Sequence, residues 1–514
     1  MKVNRKKNVA LACAAAMALS FFGGGDIRQK TVKAAEDAEP VTITWYRDAW
    51  HTNIDEKLVE EAINKYIEPL INVKVNVLNA AENTDITLAL ASGEDIDLIW
   101  DAAWSHLNTF IKGNSAYDLT EVIDNYPTLK ESIPEIVWDA CKQNGKLWYI
   151  PIYKEAGTGS ALTVPTAQVE KYGWDLSTVK GPEDIEPMLQ DLYEDGAKNP
   201  YIAHNFGYLN YYRDTFAPLE SSEQLIGIRR DDPSTVINLL ETPEYKEYIT
   251  LLHSWFEKGY INEEEVSDKD NISDEYVAAK RKTGDNGFYL WMQVPDSKAQ
   301  ASSRYGMECE VIPTTKCYID TDSAAGSALM VNAKTEKIDA VMKFVELLNT
   351  DRTLADLAVY GIKGKHYNLV DGKVELIPDS GYAYPGAWIV CNVTTPTPMV
   401  GEADDKKKIY DDFNNSLEVS VTNGFRFDSS AVEAEMIALN NVFEEYRTLL
   451  NKGVYDPEEY IPKYQEAAKA AGIDKIIAEA QKQWDAFRTS QETEASEATT
   501  EAAETTTTAE TTAE

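Results

Sequence analysis

Residues 73–100 read "VKVNVLNAAENTDITLALASGEDIDLIW", and three periodicities follow one another along them. "VKVNVL" (73–78) alternates apolar and polar residues, as a half-buried strand does. "NTDITLALASG" (83–93) carries a short helical stripe that Gly93 stops. "IDLIW" (96–100) is an apolar run of strand length. Toward the N-terminus, "VTITWY" (41–46) alternates again, and residues 53–71 place Leu58, Ala62, Ile63, Tyr66, Ile67 and Leu70 on one helical face. Strand, helix, strand, helix, strand in this order predicts right-handed crossovers onto a largely parallel sheet, an α/β domain.

In open sheets of this kind, ligands sit beyond the carboxyl ends of the strands. Trp45 and Tyr46 end the first strand, Asp48 and Trp50 lie in the loop after it, and Trp100, Asp101 and Trp104 follow the third. Indole and phenol rings beside carboxylates suit a sugar, whose C–H faces stack while its hydroxyls donate to Asp or Glu. Further candidates are Tyr149 and Tyr153 in "GKLWYIPIYKEAG" (145–157), and Tyr208 and Tyr211 in "HNFGYLNYYRD" (204–214). Trp291 in "FYLWM" (288–292), Trp388 in "GYAYPGAWIV" (381–390) and Arg426 in "NGFRFD" (423–428) complete the set. Arg426 can pair with a ligand carboxylate or with the acidic surface. Pro151 inside its apolar run predicts an edge or crossing strand.

At 514 residues the chain is too long for one hydrophobic core, so two domains are expected. Its net charge of −37 repels phosphate backbones and anionic headgroups, which argues against nucleic acid or a membrane surface as partner. Lys2, Arg5, Lys6 and Lys7 precede the apolar "NVALACAAAMALSFF", and "VKA" (32–34) offers small residues for cleavage, so 1–34 reads as a signal peptide. From about Ser490 the chain is Thr/Glu/Ala-rich and offers almost nothing apolar to bury, so 490–514 is expected to be disordered. Cys141, Cys309, Cys317 and Cys391 follow the signal; "CEVIPTTKC" can close a small disulfide loop or hold free thiols.

No HExxH, GxSxG, P-loop lysine motif or CxxC pair occurs, and the five histidines have no zinc spacing. Neither a catalytic residue, a metal nor a cofactor is expected.

The basic signal and β-α-β-α-β start, followed by "SGEDIDLIW", "GNSAYDLTEVIDNYP", "GKLWYIP" and "GSALMVNAKTEKIDAVMKFVELLNTD", resemble the family 1 extracellular solute-binding proteins of ABC importers. Maltose-binding protein typifies their architecture. The closing "GFRFDSSAVEAEMIALNNVFEEYRTLLNKG" and "AAGIDKIIAEAQKQWDAF" resemble a subset with a helical C-terminal extension. The resemblance implies an α/β, two-lobed periplasmic-binding-protein-like fold of type II, with hinge strands between the lobes and a helical C-terminal portion. Lobe 1 would combine 41–152 with 324–385, and lobe 2 would combine 156–320 with 390–488. "LWYIPIYK" and "GSALMVNA" are the expected crossing strands.

The implied function is capture of a carbohydrate, an oligosaccharide by the aromatic candidates, and its delivery to a membrane permease by cleft closure, the protein acting as a monomer. The alternatives are a cationic or peptide-like solute on the same scaffold, since aromatic cages beside carboxylates also hold ammonium groups, and a secreted glycoside hydrolase using paired carboxylates. Gram-positive relatives usually carry a Leu-[Ala/Ser]-[Gly/Ala]-Cys lipid-attachment box. Here Cys13 lies inside the apolar core with Leu11 one place too close, so the box is not matched, and a secreted, extracellular or cell-surface-associated protein is expected.

Overall fold

A computed structural model describes residues 39–47, 53–79, 86–143, 145–203, 207–219, 225–262 and 274–511. The expected signal peptide lies outside the described residues. The opening pattern folds as its periodicity predicts: β1 (Val41–Arg47), α1 (Glu56–Ile71), β2 (Val73–Asn79), α2 (Ile86–Ser92) and β3 (Leu98–Asp101). β1 pairs in parallel with β2 along its whole length, Val41 opposite Val73 through Arg47 opposite Asn79, and with β3 at Trp45–Leu98. Strand Ala328–Val331 runs antiparallel to β3, and Ile150–Pro151 takes the edge, where proline's missing N–H does least harm.

All four residues of β3 are buried, because this sheet is covered on both faces. Val59, Ile63 and Ile67 of α1 and Val341, Phe344, Val345 and Leu348 of helix Ile338–Thr350 belong to its core. Leu58 and Leu70, expected on the buried stripe of α1, are exposed at 40% and 55%; Val59 takes the inward position instead.

A second core forms around the sheet Cys309–Pro313, Gly159–Pro165, Phe288–Gln293 and Tyr201–Ile202, in that order. Thr242 caps helix Pro243–Glu257 by accepting the Tyr245 N–H, with proline in the first turn. Leu439, Phe443, Ile461, Tyr464, Ile473, Ile476, Ala480 and Trp484, from three C-terminal helices, close this core. The last helix spans Ile473–Thr511 and so continues into the segment expected to be disordered, whose alanine and glutamate residues are strong helix formers.

Three connections join the cores. The first, around residues 152–159, pairs with the second through reciprocal Thr158 and Tyr318 backbone bonds of 3.1 Å. Its glycines are steric necessities. A Cβ on Gly157 would stand 2.2 Å from the Tyr318 carbonyl oxygen, and one on Gly159 would stand 2.7 Å from that of Lys316. The second connection continues through Tyr318–Ile319, which pairs in parallel with Glu418–Val419 of the third. "GSALMVNA" is therefore not a crossing strand: Ala328–Val331 is interior to the first sheet, and the crossing precedes it. The second lobe does not resume at 390 either. Val390, Cys391, Val393 and Leu417 belong to the first core, and the chain enters the second core at Phe425.

Cys141, Cys309, Cys317 and Cys391 are free thiols. Among the described residues no helix is long and apolar enough to cross a membrane.

Candidate functional site

Trp100, at the carboxyl end of β3, meets two other indoles edge-on: Trp104 at 6.0 Å and Trp388 at 5.7 Å between ring centroids. Such T-shaped contacts satisfy the ring quadrupoles and fix the rings relative to one another. The indole N–H groups are turned inward, Trp100 Nε1 to Ser327 Oγ and Trp104 Nε1 to the Gly326 carbonyl, each at 2.8 Å. Ser327 Oγ in turn donates to the Trp388 carbonyl. Trp388 folds over Gly386, whose φ is +89° and where a Cβ would stand 2.6 Å from Trp388 Nε1. Trp100 is buried, whereas Trp104 leaves 58% of its surface exposed. With its N–H held, what Trp104 offers outward is ring face.

Asp101, expected to receive sugar hydroxyls, is a folding residue. Its Oδ1 accepts the backbone N–H groups of Ala102 (2.6 Å), His106 (2.9 Å) and Leu107 (3.1 Å), holding the entry to helix α3 (Leu107–Lys112). Its Oδ2 lies 3.5 Å from His106 Nδ1.

Polar groups missed in the sequence lie on the first connection. Lys154 and Glu155 form a 2.5 Å ion pair whose side chains are only 16% and 18% exposed. The Lys154 ammonium lies beside Gly326, next to the residue whose Oγ holds Trp100. Asn414 locks this segment, donating to the Lys154 carbonyl (2.8 Å) and accepting the Ala156 N–H (2.9 Å). Helix Lys406–Asn415 also carries Tyr410, whose phenol pKa is raised by burial and by the charges of Glu155 and Glu402. Gln300 of the second lobe reaches the Tyr410 hydroxyl at 3.5 Å. Adjacent opposite charges normally signal a solvated loop; only the convergence of the connections buries this pair.

The other candidates are placed as follows. Trp45 is fully buried, edge-on to Phe344 at 5.3 Å, and Tyr46 is buried beside it, so both are core. Tyr149 is fully buried. Tyr153 is too, its hydroxyl donating to Asp411 at 2.7 Å, and so it holds the first connection to helix Lys406–Asn415. Tyr211 is buried, sharing a 2.8 Å hydroxyl bond with Tyr201. Trp291 lies half-buried under the Arg304 guanidinium, 4.3 Å from its ring centroid. Arg426 pairs with Asp322 at 2.5 Å, and nearby Lys112 meets Asp428 at 2.9 Å. Both pairs join the first lobe to the segment that enters the second. Asp48 and Trp50 lie outside the described residues, as does the Tyr208 side chain, whose backbone is in helix Gly207–Tyr211. The structure thus brings together Trp104 and Trp388, through Trp100, and sends Trp45, Tyr46, Tyr149, Tyr153 and Tyr211 into the cores. Among the described residues no cluster of His, Cys, Asp and Glu could hold a metal.

Comparison with known proteins places this geometry in a recognisable context. Residues 421–489 match a domain of unknown function, DUF3502. Over 508 residues the chain is 24% identical to a carbohydrate ABC transporter substrate-binding protein of Streptococcus pneumoniae serotype 4, covering 95% of this chain and 99% of the relative. Among solved structures, an N-glycan transport solute binding protein of Streptococcus pneumoniae superposes with a TM-score of 0.74 at 21% identity, over 87% of this chain and 99% of its own. The same protein in complex with Man1GlcNAc superposes at 0.67, with the same identity and coverage. An extracellular solute-binding protein of Bifidobacterium longum subsp. infantis superposes at 0.59 and 16% identity, over 88% of this chain and 99% of its own. The two-lobed solute-binding fold expected from the sequence is the fold this chain shares with them.

Proposed function

We propose that the chain is the extracellular binding component of an ABC importer, capturing an oligosaccharide between its lobes and presenting it to a membrane permease on closure. One observation carries the ligand class: three interlocked indoles at the carboxyl edge of the first sheet, with the exposed face of Trp104 outward and its N–H already bonded within the protein. A flat apolar face suits the C–H side of a pyranose, and the polar groups of the first connection suit its hydroxyls. The carbohydrate named for the relatives supports the same reading.

Closure would proceed by hinge bending about the three connections, beside which Gln300 of the second lobe meets the Tyr410 hydroxyl. Ordering two lobes around a guest costs free energy, which stacking and hydrogen bonds together must exceed. The protein is a carrier and performs no chemistry, and it works outside the membrane, secreted or held at the surface, as a monomer. A cationic solute is less well served than the sequence suggests, because Asp101 is occupied by backbone N–H groups and Glu155 by Lys154.

Calorimetry against mannose- and N-acetylglucosamine-containing oligosaccharides, neutral glucans, a cationic peptide and a quaternary ammonium compound tests this reading. Saturable binding confined to oligosaccharides is expected. Binding to the peptide or the ammonium compound alone would overturn the ligand class, and release of reducing ends would overturn the carrier role.

A further inference from the structure

In a chain with 86 acidic and 49 basic residues, a guanidinium should find a carboxylate easily. Most do. Arg47 meets Glu56 at 2.6 Å, Arg229 meets Glu244 at 2.7 Å and Arg447 meets Glu444 at 2.7 Å. Arg281, buried without a carboxylate, is saturated instead by Asn286, both oxygens of Thr163, and the Gly287 carbonyl. Arg213 has neither solution. It makes one 3.3 Å bond to the Thr158 carbonyl, and its Nε is buried with no partner. Arg230 stands next to it, Nε donating to the Arg213 carbonyl at 2.7 Å and Nη1 to Ser420 Oγ at 3.0 Å. Its guanidinium carbon lies 3.8 Å from the Tyr318 ring centroid. Among the described residues neither arginine forms an ion pair.

The nearest carboxylates, Asp214 and Asp320, act on both guanidinium groups through space but form no ion pair with either; one oxygen of each accepts a backbone N–H, Asp214 that of Lys316 at 3.0 Å and Asp320 that of Ser323 at 2.8 Å. Burial lowers the pKa of both guanidinium groups, and Arg213's charge lowers that of Arg230 further. Two half-buried like charges with unused donors are a costly arrangement that a bound anion would relieve. The corner also has a mechanical setting. Thr158, Tyr318 and Ser420, the residues these arginines touch, belong one to each of the three connections between the lobes.

We infer that Arg213 and Arg230 form an oxyanion-binding corner at the hinge, taking a carboxylate, sulfate or phosphate group. The group is either an acidic substituent of the captured glycan or a free inorganic anion; only the first rests on the carbohydrate reading above.

Two arms separate these sources. In the first, thermal unfolding is followed in sodium sulfate or phosphate against sodium chloride of matched ionic strength. A free-anion site raises the wild-type Tm specifically, and Arg213→Gln removes the increment. In the second, paired oligosaccharides with and without a terminal uronate or sulfate are titrated. An acid-sugar site gives at least tenfold preference for the acidic member, and that ratio falls toward one in Arg213→Gln. Arg230→Gln gives the same readouts should Arg213→Gln fail to fold. Absence of both effects in the wild type, or their persistence in both variants, overturns the inference. Failure of every oligosaccharide to bind while sulfate still stabilises would instead refute the carbohydrate reading and leave the corner standing as an inorganic-anion site.

Discussion

Replacing Trp104 with alanine should weaken oligosaccharide binding about tenfold. An indole presents on the order of 200 Å² of surface, and at 58% exposure about 120 Å² of Trp104 is open. A pyranose ring stacks on one side only, covering about half of this, or roughly 60 Å². At about 25 cal/mol per Å², this corresponds to about 1.5 kcal/mol, or about a tenfold change in Kd. The substitution also touches stability. The buried remainder, about 80 Å², and the bond to the Gly326 carbonyl together contribute about 2–3 kcal/mol. Circular dichroism must therefore first establish that the variant is folded at the titration temperature. Trp104→Phe keeps a ring face but loses the Nε1 bond, so it should retain most of the affinity. A folded Trp104→Ala protein binding within twofold of wild type would refute the assignment of this face to the ligand.

Other perturbations probe the connections. Asn414→Ala strands the Lys154 carbonyl and the Ala156 N–H in a buried setting and should cost about 2–4 kcal/mol in urea unfolding, whereas exposed Asn415→Ala should stay within about 0.5 kcal/mol of wild type. Gly157→Ala puts a methyl 2.2 Å from the Tyr318 carbonyl and must separate the first two connections; small-angle scattering should report an altered lobe arrangement, and an unchanged profile and Tm would contradict the packing. Asp428 has its pKa pulled down to about 2 by the Ser430 hydroxyl and Lys112. A depressed carboxylate contributes stability above its unfolded pKa, near 4, that is lost as pH falls toward 2. Because both partners of its ion pair are exposed, the gap between wild type and Asp428→Asn should be under about 1 kcal/mol at pH 5 and vanish near pH 2. An equal gap at both pH values would refute the pairing.

The first sheet was legible because alternation and helical periodicity are local. "VKVNVL" and "VTITWY" pair residue for residue in the register their pattern implies. The candidate site was legible only in part, for a reason visible in Trp45 and Trp104. Both follow apolar runs at strand ends, yet Trp45 faces a helix recruited from 299 residues downstream (344 − 45), at Phe344, while Trp104 sits one loop further out. Nothing local distinguishes a ring that a distant helix will cover. Asp101 misled in the opposite sense: an acid five and six residues before His106 and Leu107 supplies the backbone-capping oxygen that a helix entry needs, which is as strong a signal as ligand binding. The Lys154–Glu155 pair was invisible because its burial depends on Asn414 and the third connection.

The second core has a temporal consequence. Its strands begin at Gly159, but Trp484, buried edge-on to Phe425 with its Nε1 donating to the Pro233 carbonyl, is an interior residue supplied almost at the end of the chain. During synthesis this lobe therefore cannot seal until Trp484 has been added, and a premature stop anywhere upstream of it leaves an apolar wound that the first lobe cannot dress.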